Sequence, residues 1–313
     1  MSASVTVLTH VPITLLGALL KRFPDVSVVQ VSEQAPLAEG IRGDVLLTQA
    51  WGSPNLAGIM ERGVRWVHAY GTGVNAFPLA ALGGVPLTCS RGGSGIPIAE
   101  WVLAAMLSFE KRFDASFIHA QGEWKPLPLG GLWERTLALV GFGGIAQEVA
   151  KRALPFGMRV RALRRSEGRS PLAGVELVRT LPELLGDADH VVIAAPATPE
   201  TRHLLNRASL ACVKRGAHLV NVSRGALIDQ DALREALDDG RVAHATLDVA
   251  DPEPPPAGHW LYTHPRVRLS PHIAWSMPGA LDLLLDPFLE NLARWRSGKP
   301  LLARDLVDLT RGY

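Results

Sequence analysis

The stretch Thr136-Leu137-Ala138-Leu139-Val140-Gly141-Phe142-Gly143-Gly144-Ile145-Ala146 decides how this chain is read. A short apolar run with strand character ends on a glycine, and the order glycine, any residue, glycine, any two, alanine follows. Gly141 permits a tight turn after a strand, Gly143 lets the backbone approach a pyrophosphate, and Ala146 is small enough for close helix–strand packing. Gly144 and Ile145 stand at the mouth of the next helix, expected over about 145–154, whose amino-terminal dipole would face the phosphates. Alone, the pattern also fits a glycine-rich turn in a sheet that binds no cofactor. Here a strand precedes it, a helix follows, and three polar residues in recognisable settings lie downstream.

Outward from this loop, β-rich runs alternate with helical patterns. Residues 5–8, 26–31, 45–48, 66–69 and 87–89 read as one series of strands, with amphipathic segments such as 14–22 between several of them. A second series takes 136–140, 158–163, 190–195, 217–222, 243–249 and 267–269. Such alternation predicts an α/β protein of parallel sheets with helices on both faces. At 313 residues the chain is long for one core, so two domains are expected. Between the series, 97–117 reads as a long helix opened by Pro97, and its segment 101–107 is apolar on every face and should be buried all round. Residues 279–296 read as a final helix, and the proline-rich 251–258 as a rigid loop.

Composition narrows the classes. A 47% hydrophobic, 20% charged sequence is that of a globular protein, and a net charge of +2 without a basic stripe predicts no nucleic-acid partner. Cys89 and Cys212 sit in apolar neighbourhoods and read as buried inert thiols, with no metal site expected. Met1-Ser2-Ala3-Ser4 lacks the basic residues of a secretory signal, and the apolar 11–20 is broken by Pro12 and too short for a bilayer. The expectation is a cytoplasmic protein with no membrane association.

Three residues carry the chemistry. Arg224 lies in Asn221-Val222-Ser223-Arg224-Gly225, Glu253 in Asp251-Pro252-Glu253-Pro254, and His272 in Ser270-Pro271-His272-Ile273-Ala274. Each follows a predicted strand, and in open α/β sheets the carboxyl ends of strands line the ligand crevice. An imidazole that titrates near neutrality can donate a proton, a carboxylate can favour its charged form and orient the ring, and a guanidinium can hold an anionic substrate.

In combination and order these motifs resemble the D-isomer-specific 2-hydroxyacid dehydrogenases, most nearly the NADP-dependent glyoxylate/hydroxypyruvate reductases. The resemblance runs over nearly the whole chain and is weakest before Trp66. It implies two doubly wound parallel-sheet domains, with a Rossmann cofactor domain (99–278) inserted into a flavodoxin-like substrate domain (1–98 and 279–313). It also implies reduction of a small 2-keto acid to a D-2-hydroxy acid, with His272 as acid, Glu253 as its partner and Arg224 binding the carboxylate. The helix at 97–117 would link the domains and pack at a homodimer interface, although an ordinary core helix fits it equally.

Further positions follow from the family pattern. Asp248 would contact the nicotinamide carboxamide or serve as a strand-end capping acid. Gly71, Thr72 and Gly73 match a turn whose amides hold the substrate carboxylate, and Pro196 either touches the cofactor or ends a strand. Trp51 closes over the site or packs at a surface. The acid that NAD enzymes place on the ribose falls here on Arg164, with Arg165 and Ser166 behind it. Two guanidiniums and a hydroxyl suit a 2′-phosphate, so NADPH is expected over NADH. The chain departs from the family at Asn75, Ala250 and Trp275, and Trp275 should narrow or reshape the substrate pocket. Glu253 argues against formate dehydrogenase. Phosphite dehydrogenase and a nucleotide-sensing corepressor-like protein remain alternatives.

Overall fold

The computed structural model describes residues 5–313; Met1–Ser4, where the absence of a signal was read, lie outside the described residues. The chain divides into two compact units, one of Met1–Ser94 with Met277–Tyr313 and one of Gly95–Ser276.

In the first unit, β1 (Thr6–Thr9), β2 (Ser27–Gln30), β3 (Val45–Gln49), β4 (Trp66–Tyr70) and β5 (Leu87–Cys89) form a parallel sheet in the order 2-1-3-4-5. That is the flavodoxin-like order. The central strands are buried on both faces, so they read as continuous apolar runs rather than alternating ones. One face is closed by the helix Ala280–Arg296, whose Leu285, Phe288, Leu289 and Leu292 pack on Val7, Val45, Leu47 and Trp66. Trp66 and Phe288 stack at 5.3 Å between ring centroids. The carboxy-terminal segment returns to the β5 edge, where Cys89 N–H donates to Asp305 and Val307 N–H to Leu87.

In the second unit, β6 (Thr136–Val140), β7 (Arg159–Leu163), β8 (Val175–Val178), β9 (His190–Ile193), β10 (Ala217–Asn221), β11 (Val242–Leu247) and β12 (Val267–Leu269) form a seven-stranded sheet in the order 12-11-10-9-6-7-8. All of its pairings are parallel. Counted from β6 this is 3-2-1-4-5-6 with one further strand, the doubly wound order whose reversal beside the first strand makes a ligand crevice. The helix Gly95–Glu110 lays Ile98, Ala99, Val102, Leu103 and Met106 on Ala146, Val149, Ala150 and Ala153 of the helix Gly144–Ala153.

Several expected boundaries move. The helix expected over 97–117 starts at Gly95 and ends at Glu110, because Arg112 takes a left-handed backbone (φ +49°) and a short separate helix, Phe113–Ser116, follows. The whole of that first helix packs within the second unit, so the division falls after Ser94 rather than after residue 98. On the return, Met277 and Pro278 belong to the first unit, so the expected boundary after 278 falls after Ser276. Strand β8 was not expected. It is four residues long, sits at the sheet edge and exposes Glu176, so it carries little periodic signal.

Candidate active site

The nucleotide loop begins where β6 ends. Gly141 has φ +93°, and a β-carbon there would lie 2.7 Å from the nitrogen of Ala195, so only glycine lets β6 turn against the neighbouring strand end. Gly143 is the extended cap before the helix Gly144–Ala153, and nothing lies within 4 Å of where its β-carbon would be. That open space at a helix amino terminus would let a phosphate approach the backbone N–H groups. Ala146 is fully buried against the sheet, as the packing argument requires.

At the end of β7, Arg164 is half-buried, and its Nη2 donates to the carbonyls of Glu167 (3.2 Å) and Arg169 (3.0 Å). The guanidinium therefore braces the turn that carries Arg165 and Ser166, both exposed. Pro196 is exposed just after β9, and its carbonyl accepts from the Thr201 hydroxyl at 2.7 Å.

The three polar residues follow the carboxyl ends of β10, β11 and β12. Past β10, the buried Asn221 organises the turn: its Nδ2 donates to the Arg224 carbonyl (2.9 Å) and its Oδ1 accepts from Ser223 N–H (3.0 Å). The Ser223 hydroxyl donates to the carbonyl of Ala195. Arg224 is half-buried and donates from Nη1 to the Ser223 carbonyl at 2.7 Å. Burial pulls its guanidinium below its ordinary value, and the Glu253 carboxylate pulls the other way. Gly225 is required by close approach: a β-carbon would fall 1.9 Å from the carbonyl carbon of Ala250.

Glu253 Oε1 accepts from Nδ1 of His272 at 2.7 Å, both side chains partly exposed. A carboxylate only accepts, so the contact places the proton on Nδ1 and turns Nε2 away as the exchangeable position. His272 itself has φ +54°. Its loop is tied to Asp248, a buried residue just past β11, whose Oδ1 accepts from Ser270 Oγ (2.6 Å) and Ile273 N–H (2.9 Å) and whose Oδ2 accepts from Ala274 N–H (2.9 Å). These bonds tie the His272 loop to the end of β11. Trp275 is half-buried against the apolar core of this unit, and its indole N–H donates to the His272 carbonyl at 3.0 Å.

The remaining expected residues lie in the first unit. Past β4, Gly71 (φ +153°) donates its N–H to the Ala69 carbonyl at 2.9 Å, and the Thr72 hydroxyl donates to the Ser90 carbonyl at 3.1 Å. Gly73 follows them in the same turn, and Trp51 is exposed past β3. Sequence reasoning passed over Asn221, Ser223 and Ser270. An Asn closing a strand before Ser-Arg-Gly is the readable signal for a side chain that folds back on its own turn.

A glycine loop at a helix amino terminus, with an Arg, a Glu and a His past the strand ends of the same sheet, makes up the candidate site. Residues 103–274 match the family described as D-isomer specific 2-hydroxyacid dehydrogenase, NAD binding domain, and the chain belongs to that family. It is 33% identical over 264 residues to glyoxylate/hydroxypyruvate reductase A of Serratia proteamaculans, covering 80% of this chain and 82% of the relative. It is 35% identical over 225 residues to D-3-phosphoglycerate dehydrogenase of Bacillus subtilis, covering 70% of this chain but only 42% of that longer protein. Among solved structures, a D-isomer specific 2-hydroxyacid dehydrogenase from Xanthobacter autotrophicus Py2, in complex with NADPH and MES, superposes with a TM-score of 0.86 at 30% identity, covering 99% of this chain and all of that one. The NADPH-dependent glyoxylate/hydroxypyruvate reductase of Sinorhizobium meliloti gives 0.83 at 26% identity, covering 99% and 100%.

Proposed function

We propose that this protein is an NADPH-dependent reductase of small 2-keto acids of the glyoxylate and hydroxypyruvate type. The observation that carries the reading is the 2.7 Å contact of Glu253 with His272, on loops past adjacent strands of the sheet that also carries Arg224. Gly141, Gly143, Gly144, Ile145 and Ala146 would hold the pyrophosphate, and Arg164, Arg165 and Ser166 the 2′-phosphate. When bound, the nicotinamide supplies the hydride that reduces C2 of the keto acid. His272 Nε2 donates the proton to the carbonyl oxygen, and Glu253 holds the ring and compensates the imidazolium. Arg224 binds the substrate carboxylate, and its burial strengthens that pairing. The Gly71–Thr72–Gly73 turn is the second candidate for contacts to the carboxylate.

The working form we propose is a cytoplasmic homodimer. Phe117, Trp124 and Trp133 are 66, 81 and 73% exposed on one segment of the second unit, large apolar side chains of the kind that a partner subunit would cover. The same segment borders a cavity of about 520 Å³ lined by Arg112, Asp114, Arg135, His244 and Arg268. Light scattering on the purified protein tests the dimer.

The deciding experiment is a steady-state screen of glyoxylate, hydroxypyruvate and larger 2-keto acids with NADPH and with NADH. Turnover with NADPH supports the reading. Tight nucleotide binding without turnover of any keto acid would point instead to a nucleotide-sensing protein, and oxidation of phosphite to a different dehydrogenase.

A further inference from the structure

The loop that carries His272 is gripped on both sides of that one residue. His272 holds φ +54°, a conformation that a residue with a β-carbon keeps only where its surroundings enforce it. Its N–H donates to the Asp248 carbonyl at 2.9 Å, and the Asp248 carboxylate takes the next two amides, of Ile273 and Ala274. The His272 carbonyl accepts from Trp275 Nε1 at 3.0 Å. That indole is itself anchored, because its ring lies against the apolar core of the second unit.

We propose that Trp275 is a positioning residue for His272, acting through its indole N–H rather than through its bulk. The inference rests on the reading of His272 as the acid. Nδ1 of His272 is pinned by Glu253 at 2.7 Å, so the direction of Nε2 depends on where the backbone of residue 272 is held. The indole bond fixes the carbonyl side of that residue, and the Asp248 carbonyl fixes the amide side. Without the indole donor the 272–273 peptide keeps only the bond from its Ile273 N–H to Asp248, which leaves its carbonyl free to tilt, and the imidazole then swings about its contact with Glu253. A tryptophan that only walled a pocket would act through its size, and phenylalanine separates the two roles by keeping most of the ring and removing the donor.

The test is Trp275→Phe in the full-length protein. With the best keto acid and saturating NADPH, kcat is expected to fall about fivefold to thirtyfold, the scale of one lost hydrogen bond, with KM and the melting temperature unchanged. A second reading needs no turnover. In protein labelled with 15N-histidine, the downfield Nδ1 proton of the Glu253–His272 contact, assigned by its loss in His272→Gln, should be sharp in the wild type and broadened or absent in Trp275→Phe. Full kcat with an altered KM, or an unchanged proton signal, would overturn the proposal. If the wild type reduces no keto acid, the functional reading fails and the proton signal alone decides the positioning role.

Discussion

Glu253 and His272 are 19 residues apart and sit on separate loops, yet their side chains meet at 2.7 Å. The contact sets a tautomer: an ionised Glu253 must accept from Nδ1, which leaves Nε2 to exchange the proton. His272→Gln should lower kcat for keto-acid reduction by about 10²–10⁴-fold, the range for loss of general acid catalysis, while NADPH still binds. Glu253→Gln should lower kcat less, because the amide still orients the ring without its charge. Near-normal kcat in His272→Gln, measured where chemistry limits turnover, would contradict the assignment.

Arg224 differs from a lysine in geometry as much as in charge. Its guanidinium can grip a carboxylate through two parallel N–H bonds, and its backbone is held by Asn221 at 2.9 Å. Arg224→Lys should therefore raise KM for the keto acid and lower kcat together. Charge-assisted bonds are worth about 1.5–3 kcal/mol, so kcat/KM should drop by about ten- to a hundredfold. An unchanged KM would contradict the role of Arg224 at the substrate carboxylate.

Gly225 is constrained by packing, since the β-carbon of an alanine would overlap the Ala250 peptide at 1.9 Å. Gly225→Ala must push apart the turns that carry Arg224 and lead to Glu253. The expected cost is at least the 1–3 kcal/mol typical of overpacking, read as a lower urea midpoint, together with a large loss of kcat. Wild-type stability and activity in this variant would show that the two turns move independently.

The architecture was legible in the sequence, and the candidate site residues stood out there, for different reasons. Central strands such as β6 and β10, buried on both faces, stand out as apolar runs, and the loop from Gly141 to Ala146 fixes where the first of them ends. The edge strand β8 has no such run and was invisible. The end of the helix at Glu110 was also hidden, because neither proline nor glycine marks it and the break depends on the backbone of Arg112. Arg224, Glu253 and His272 stood out because each lies within a few residues of a strand end. The bonds of Asp248 and Trp275 to the His272 loop were out of reach, since they depend on how one loop lies over another.

Acid should destabilise the first unit through His68. The ring is fully buried between the Thr88 hydroxyl (2.7 Å) and the Ser90 hydroxyl (3.2 Å), and burial pushes its pKa down from 6.5 to about 3. The folded ring stays neutral while the unfolded one takes a proton below pH 6.5, so this contribution to stability is intact above 6.5. It is lost as pH falls from there toward 3, at up to about 1.4 kcal/mol per pH unit. Urea melts from pH 7.5 to 4.5 should show the decline, and His68→Asn should flatten it even if its stability at pH 7.5 is lower. An equal slope in both proteins would assign the acid sensitivity to other groups.

Cofactor choice rests on Arg164, which stands where a carboxylate would accept bonds from a ribose diol and repel a phosphate. Its Nη2 is spent on the carbonyls of Glu167 and Arg169, so the guanidinium is held in place at the β7 end rather than ranging through solvent. A fixed cation there can pair with a 2′-phosphate at little further cost in side-chain entropy. Contacts of this kind are worth about 1.5–3 kcal/mol, so NADPH should be preferred to NADH by at least about tenfold in kcat/KM. Arg164→Asp should erase or invert that preference while leaving kcat with saturating NADH largely intact, because the proposed place of the residue is the ribose end of the nucleotide, away from the hydride. Arg164→Ala helps to separate charge from turn geometry: it removes the cation and the two carbonyl bonds but introduces no repulsion. It should weaken NADPH without improving NADH. Both cofactors measured with all three proteins decide the matter, and a wild type that prefers NADH would show that this arginine serves the turn alone.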